Sequence, residues 1–177
     1  NVSQTDAPLD VAIQGRGFFE IQLPDGTSGY SRDGSFTLDS QGQIVNSSGY
    51  VLQPSITIPP NVTSITIGVD GTVSTLTAGD NAPTQVGNIQ LVDFVNETGL
   101  QPRGENLFLE TASSGSPTPG TPGQNGLGTM IQGSLETSNV NVVEELVNMI
   151  ETQRTYEVNS RAIETADSML QYVNNNL

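Results

Sequence analysis

From Val142 to Leu177 the chain reads VVEELVNMIETQRTYEVNSRAIETADSMLQYVNNNL, with neither Pro nor Gly. Strands in globular proteins end after roughly three to ten residues, so an unbroken run of this length has one regular solution, a helix. Asn141 followed by Glu144 fits an N-x-x-E capping pattern, and Glu144 and Glu145 fall in the first turn, where the helix dipole favours negative charge. The spacing predicts a helix over 140–177 that starts near Asn141. At 1.5 Å per residue it extends about 54 Å, longer than a small domain is wide.

The apolar pattern of this helix says what it needs. Val142, Met149, Tyr156, Ile163, Leu170 and Leu177 recur every seven residues, joined on the same side by Leu146, Ile150, Ala166 and Val173. A strict period of seven, in place of the drift of a straight helix, keeps one seam against partner helices in coiled-coil fashion. Polar residues interrupt the seam: Gln153, Asn159 and Ser160 stand where a strong two-stranded zipper has aliphatics, and such positions set register and partner number at a cost in stability. A small sheet can cover only a few turns of so long a helix, so the stripe is expected to pack against other helices.

Residues 11–112 carry a different pattern. Short runs, FFEIQL (18–23), SFTLD (35–39), SITI (55–58), SITIGV (64–69), IQLVDF (89–94) and NLFLE (106–110), are separated by turn residues. Ile65, Ile67 and Val69 alternate with polar residues, as in a strand with one buried face. Asp25-Gly26, Asp33-Gly34 and Asp70-Gly71 lie between such runs, and Asp-Gly supplies the positive φ that tight hairpins require. Gly26, Gly34 and Gly71 are therefore expected as turn glycines. None of the three pairs sits in the spaced oxygen-ligand pattern of a calcium loop. The fold class expected is mainly β, an antiparallel β domain with one long C-terminal α-helix, α+β overall, preceded by a linker over 1–10.

Between the two lies a segment, 113–139, that includes SSGSPTPGTPGQNGLG. Pro and Gly at this density oppose both a helix and a regular sheet. It reads either as a linker or as an irregular contact-making arm, and both readings stay open at this level.

Composition removes whole classes of activity. The 177 residues hold no Cys and no His, the basic residues are five arginines, and the net charge is -14. A Ser-His triad, a thiolate nucleophile, a Schiff base and the common zinc sites all lack their residues. A carboxylate pair of the glycosidase type remains chemically available, yet with no Trp and few aromatics there is little to form a sugar platform. No catalytic, cofactor-binding or metal-ligating residue is expected, and no cofactor. The negative charge opposes contact with nucleic acid and with anionic membranes. No apolar run is long enough for a membrane helix, so no direct membrane insertion is expected.

Several long stretches bear a family likeness. GRGFFEIQLPDGTSGYSRDGSFTLDSQGQIV (15–45) and VGNIQLVDFVNETGLQPRGENLFLET (86–111) resemble the β domain of bacterial flagellar rod and hook axial proteins, and QGSLETSNVNVVEELVNMIETQRTYEVNSRAIETADSML (132–170) is similar to their shared C-terminal segment. Thr155 departs from the pattern, since family members often carry Ala between the Arg and the Tyr; a β-branched residue lowers helix propensity slightly. The resemblance implies a structural subunit of a flagellar rod, exported through the flagellar secretion channel and polymerised into a helical tube that spans the periplasm. It also implies a helix at the other chain end, absent from this sequence, that lines the tube together with 140–177. The partners implied are copies of the same chain in a helical homo-oligomer, other rod proteins, the hook protein and the outer ring or bushing proteins. The readings carried beside it are a proximal rod or hook protein of the same family and, from a different class, a secreted adhesin or binding module with a coiled-coil stalk.

Overall fold

The computed structural model describes residues 2–80, 82–136 and 142–175, and within the helix the side chains of 146–165. The chain divides into two units, Asn1–Thr137 and Ser138–Leu177. The first is built of antiparallel strands and the second holds one α-helix, the mainly β, α+β class read from the sequence.

The strands, in chain order, are β1 (Val2–Gln4), β2 (Val11–Gln14), β3 (Phe18–Gln22), β4 (Ser28–Ser31), β5 (Thr37–Leu38), β6 (Ile44–Val45), β7 (Val51–Gln53) and β8 (Val62–Ile67). There follow β9 (Thr72–Thr77), β10 (Thr84–Asn88), β11 (Leu91–Asp93), β12 (Gln101–Gly104), β13 (Leu107–Leu109), β14 (Thr118–Gly120), β15 (Thr129–Gln132) and β16 (Ser134–Glu136). The helix is α1 (Val142–Asn175).

A nine-stranded sheet runs in the order β12-β13-β4-β3-β7-β6-β5, with β11 attached to β3 and β14 to β11. β3 is its hub. One edge pairs along its length with β4, while the other is shared, Phe18 and Phe19 facing β11 and Glu20 to Gln22 facing β7. Its alternation then separates two cores. Phe19, Ile21 and Leu23 point into the main core with Val11, Ile13, Leu52, Ile67, Val73, Leu91 and Met130. Phe18 points the other way, into a smaller cluster with Tyr30, Val92, Phe94 and Leu100. There the rings of Phe18 and Phe94 meet edge-on at 6.0 Å, and those of Tyr30 and Phe94 at 4.7 Å. The main core is closed by a three-stranded sheet, β10-β9-β8, and by the ladder of β15 on β2. Ile67 is buried and Ile65 packs partly buried against the core, as the alternation required, and Val73 of β9 also faces inward, whereas Val69 lies past the end of β8 and is exposed.

Two of the three Asp-Gly pairs close the same kind of hairpin. Between β3 and β4 the Gly26 amide donates to Leu23 O and the Leu23 amide to Thr27 O; between β8 and β9 the Gly71 amide donates to Gly68 O and the Gly68 amide to Thr72 O. Gly26 and Gly71 take φ of 81° and 82°, the left-handed conformation in which Gly has no steric cost. The turns at Asp39–Gly42 and Asn46–Gly49 repeat this pattern without an Asp-Gly pair to mark them. Gly34 corrects the expectation, because it is not in the left-handed region and closes no hairpin. It is glycine because a Cβ there would collide with Val11 O, the backbone of the crossing β2.

The aspartates of these loops act as acceptors. Asp25 takes hydrogen bonds from the Thr27 hydroxyl and amide, Asp70 from the Thr72 amide and hydroxyl, and these hold both carboxyls below the usual range. At Asp33 burial pushes the pKa upward, but bonds from the Ser35 hydroxyl and amide and from the Asn106 side chain together outweigh it, and the net shift is downward. Burial pushes the Tyr30 phenol up to about 12, with Glu20 and Glu110 adding to the effect.

The Pro/Gly-rich segment behaves as part of the first unit, in contrast to the boundary expected at 112/113. β14 pairs with β11, β15 with β2 and β16 with β1, and Leu127 and Met130 are buried in the main core. Pro122, Gly123 and Gly126 serve turns: the Gln124 amide donates to Thr121 O and the Leu127 amide to Gln124 O. The chain start is engaged too, since β1 pairs with β16 and the Thr5 hydroxyl donates to Asp10 at 2.6 Å.

Substitution should separate the two uses of glycine. Gly26→Ala, in open space, should cost about 1 kcal/mol from its φ alone. Gly34→Ala, and Gly71→Ala whose Cβ would meet Ile89 O, should each cost about 3 kcal/mol or more by forcing backbone apart, read as a larger fall in thermal midpoint. Stability of the β unit should also depend on pH at both ends. The lowered Asp25, Asp33 and Asp70 contribute above the ordinary aspartate pKa of 3.8, and that contribution disappears as pH falls through their lowered values. Tyr30 contributes below 10 and its share is lost as pH rises towards about 12. Urea unfolding across pH 2 to 12 should show a plateau between these limits.

Candidate assembly interface

The helix α1 is a continuous element from Val142 to Asn175. Leu146, Met149, Ile150, Tyr156 and Ile163, the part of the stripe whose side chains are described, are between 51% and 76% exposed. Val142, Ala166, Leu170 and Val173 lie within the helix, but their side chains fall outside the described residues; Leu177 and the expected cap at Asn141 lie outside them altogether.

Helical geometry places the stripe. At 100° per residue a seven-residue step drifts by only about 20°, so Met149, Tyr156 and Ile163 stay on one side. Leu146 and Ile150 broaden that side near the helix start. Val147 and Val158 are exposed on roughly the opposite side, two residues from Met149 and Tyr156, and the heptad reading did not include them.

The threonines of the helix are locally satisfied. Thr152, Thr155 and Thr165 each donate a hydroxyl hydrogen bond to the carbonyl four residues earlier, at 2.8, 2.9 and 2.8 Å. Such bonds slightly weaken a lone helix. They also leave no hydroxyl donor that covering by a partner would strand, so Thr155, the departure from the family pattern, is compatible with a buried contact.

Ionic contacts in the first unit serve its own architecture. Arg16 reaches Asp93 at 3.1 Å, Glu97 at 3.0 Å and Phe94 O at 3.2 Å. Arg32 donates to Gly15 O and Gly17 O, lies over the Phe18 ring and pairs with Glu136 at 3.1 Å. These side chains are partly exposed, and each pair is worth at most about 1 kcal/mol. The sequence reading missed both arginines; the repeated small residues around Arg16 in GRG were the available signal. Among the described residues no cluster of acidic groups is arranged to hold a metal, and no helix is long and apolar enough to cross a membrane.

Two family models match the chain. Residues 12–75 match the flagellar hook protein FlgE/F/G D1 domain, and residues 131–176 match the flagellar basal body rod FlgEFG protein C-terminal model. The chain is similar to the flagellar basal-body rod protein FlgG of Agrobacterium fabrum, 42% identical over 177 residues, which are all of this chain and 68% of that relative. It belongs to the flagellar basal-body rod protein family.

FlgG proteins of Buchnera aphidicola from Schizaphis graminum and of Caulobacter vibrioides are 56% and 52% identical, over 97% and 94% of this chain. The chain spans 66% of the length of the first and 64% of the second. The C-terminal rod match begins at β15, inside the first unit, and runs on through α1. The match thus takes in the end of β15, β16 and α1, while β14 lies outside it.

A helix with its apolar stripe in water is marginal by itself. Circular dichroism of dilute single chains should show a β signal with a small helical part, and helicity should grow as chains associate. Limited proteolysis of the dilute chain should remove α1 and stop beyond Glu136, since β16 is held by β1 and by Arg32. Full helicity and protease resistance of α1 at concentrations where the chain is monomeric would contradict this.

Proposed function

We propose that this chain is part of a structural subunit of the bacterial flagellar distal rod, a helical tube that crosses the periplasm and transmits torque from motor to hook. The observation that carries the reading is the exposed stripe on α1 in a chain 42–56% identical to rod proteins of three bacteria. Its work is mechanical, and no residue is assigned to catalysis, a metal or a cofactor.

The assembly interface is the column Val142, Met149, Tyr156, Ile163, Leu170 and Leu177, with Leu146, Ile150, Ala166 and Val173 beside it. Each such side chain that becomes fully covered contributes roughly 1.5–3 kcal/mol, enough in sum to order the helix as copies join. Contacts between identical subunits that are head-to-tail produce an open filament in place of a closed ring. Residues 113–128, fixed on the β unit by β14 and the turns that follow, are a second contact surface between copies. Other rod proteins, the hook protein and the outer ring proteins are the partners at its ends and flank, and the flagellar secretion channel is its route out.

Tyr156→Asp and Ile163→Asp test the reading. A charged residue in the stripe should leave the β unit melting as before while abolishing rod formation, seen as loss of filaments by electron microscopy and loss of swimming in cells dependent on the variant. Normal rods and motility in both variants would overturn the assignment.

A further inference from the structure

A subunit meant to polymerise through helices carries a second danger, because its β unit exposes sheet edges on which other copies could build. Three strands end the nine-stranded sheet: β12, β14 and β5. β12 contains Pro102 and β14 contains Pro119, both exposed and both inside the strand. A proline offers no amide to an incoming strand, and within a sheet it is found with its nitrogen turned away from the existing ladder. β5 is only two residues long.

The three-stranded sheet is blunted in other ways. β10 has a register break between Gln85 and Gly87. The outer edge of β8 lies beside β15, whose Gln132 side chain accepts a hydrogen bond from the Ile67 amide at 3.1 Å and donates to Ile65 O at 2.9 Å. Its amide takes the place of a neighbouring strand's peptide group. The same nitrogen donates to Pro8 O at 2.7 Å and so ties the chain start to this edge.

We infer that these devices close the nine-stranded and three-stranded sheets to strand addition, with Pro102 and Pro119 guarding the large sheet and Gln132 the small one. The inference concerns the β unit alone and does not depend on the rod reading.

The test uses the full chain carrying Pro102→Val and Pro119→Val together, with Gln132→Ala as a separate variant and Pro83→Val, an exposed proline outside the strands, as control. Sedimentation velocity should show larger species for the double variant at a concentration where the parent is uniform. Amide hydrogen exchange should slow at least tenfold across 101–104 and 118–120, and for Gln132→Ala across 62–67. Association through α1 leaves those amides exchanging as in the parent, so the two routes are distinguishable. A double variant with the parent's thermal midpoint, sedimentation and exchange overturns the inference, as does equal association of the Pro83 control. Should the double variant melt early, the two single substitutions are read by the same criteria.

Discussion

The first unit depends on one alternation. β3 is flanked on both edges and covered on both faces, so Phe18 and Phe19 are buried on opposite faces of the same sheet. Phe19 joins the core that unites β2, β7, β9, β11 and β15, and Phe18 joins the aromatic cluster with Tyr30 and Phe94. A slip of one residue in this strand would exchange those two faces and bring Glu20 towards the main core. Register is therefore specified at the hub and passed outward to its neighbours.

Burial is divided unequally along the chain. The β unit places its large aliphatic and aromatic side chains in two closed clusters, leaves few exposed, and anchors even the polar segments 2–10 and 113–136 by ladders and side-chain bonds. The described part of α1 leaves all its large apolar side chains in water. One part of the chain thus satisfies its hydrophobic pattern internally, and the described part of the other leaves it exposed, the arrangement on which the proposed contacts between chains rest. That asymmetry fits a subunit whose folding and assembly are separate steps, with the net charge of -14 opposing indiscriminate association of the free chain.

Much of this was legible in residue order, for local reasons. The helix follows from a long run without breakers, and the hairpins at Gly26 and Gly71 from Asp-Gly between alternating runs. Other strands were not visible. β4 is Ser-Gly-Tyr-Ser, β12 contains a proline and β14 is Thr-Pro-Gly, compositions that local propensity assigns to loops. They become strands because β3, β13 and β11 offer edges to pair with. SITI at 55–58 shows the reverse, since Ile56 and Ile58 are buried although no named strand runs there.

The candidate interface divides in the same way. By itself the sequence determined that α1 carries a seven-residue apolar stripe and that the chain lacks the residues of most catalytic sites, because periodicity and composition need no distant contacts. Only the tertiary structure decided that 113–136 closes the β unit. Leu127 and Met130 reach the core by way of turns that look like breakers in one dimension, and the partner of β15 is β2, more than a hundred residues earlier. It likewise decided why Gly34 must be glycine and what Gln132 is for. Both depend on backbone that passes close in space and lies far away in sequence: Val11 O in the first case, the Ile65 and Ile67 peptide groups in the second.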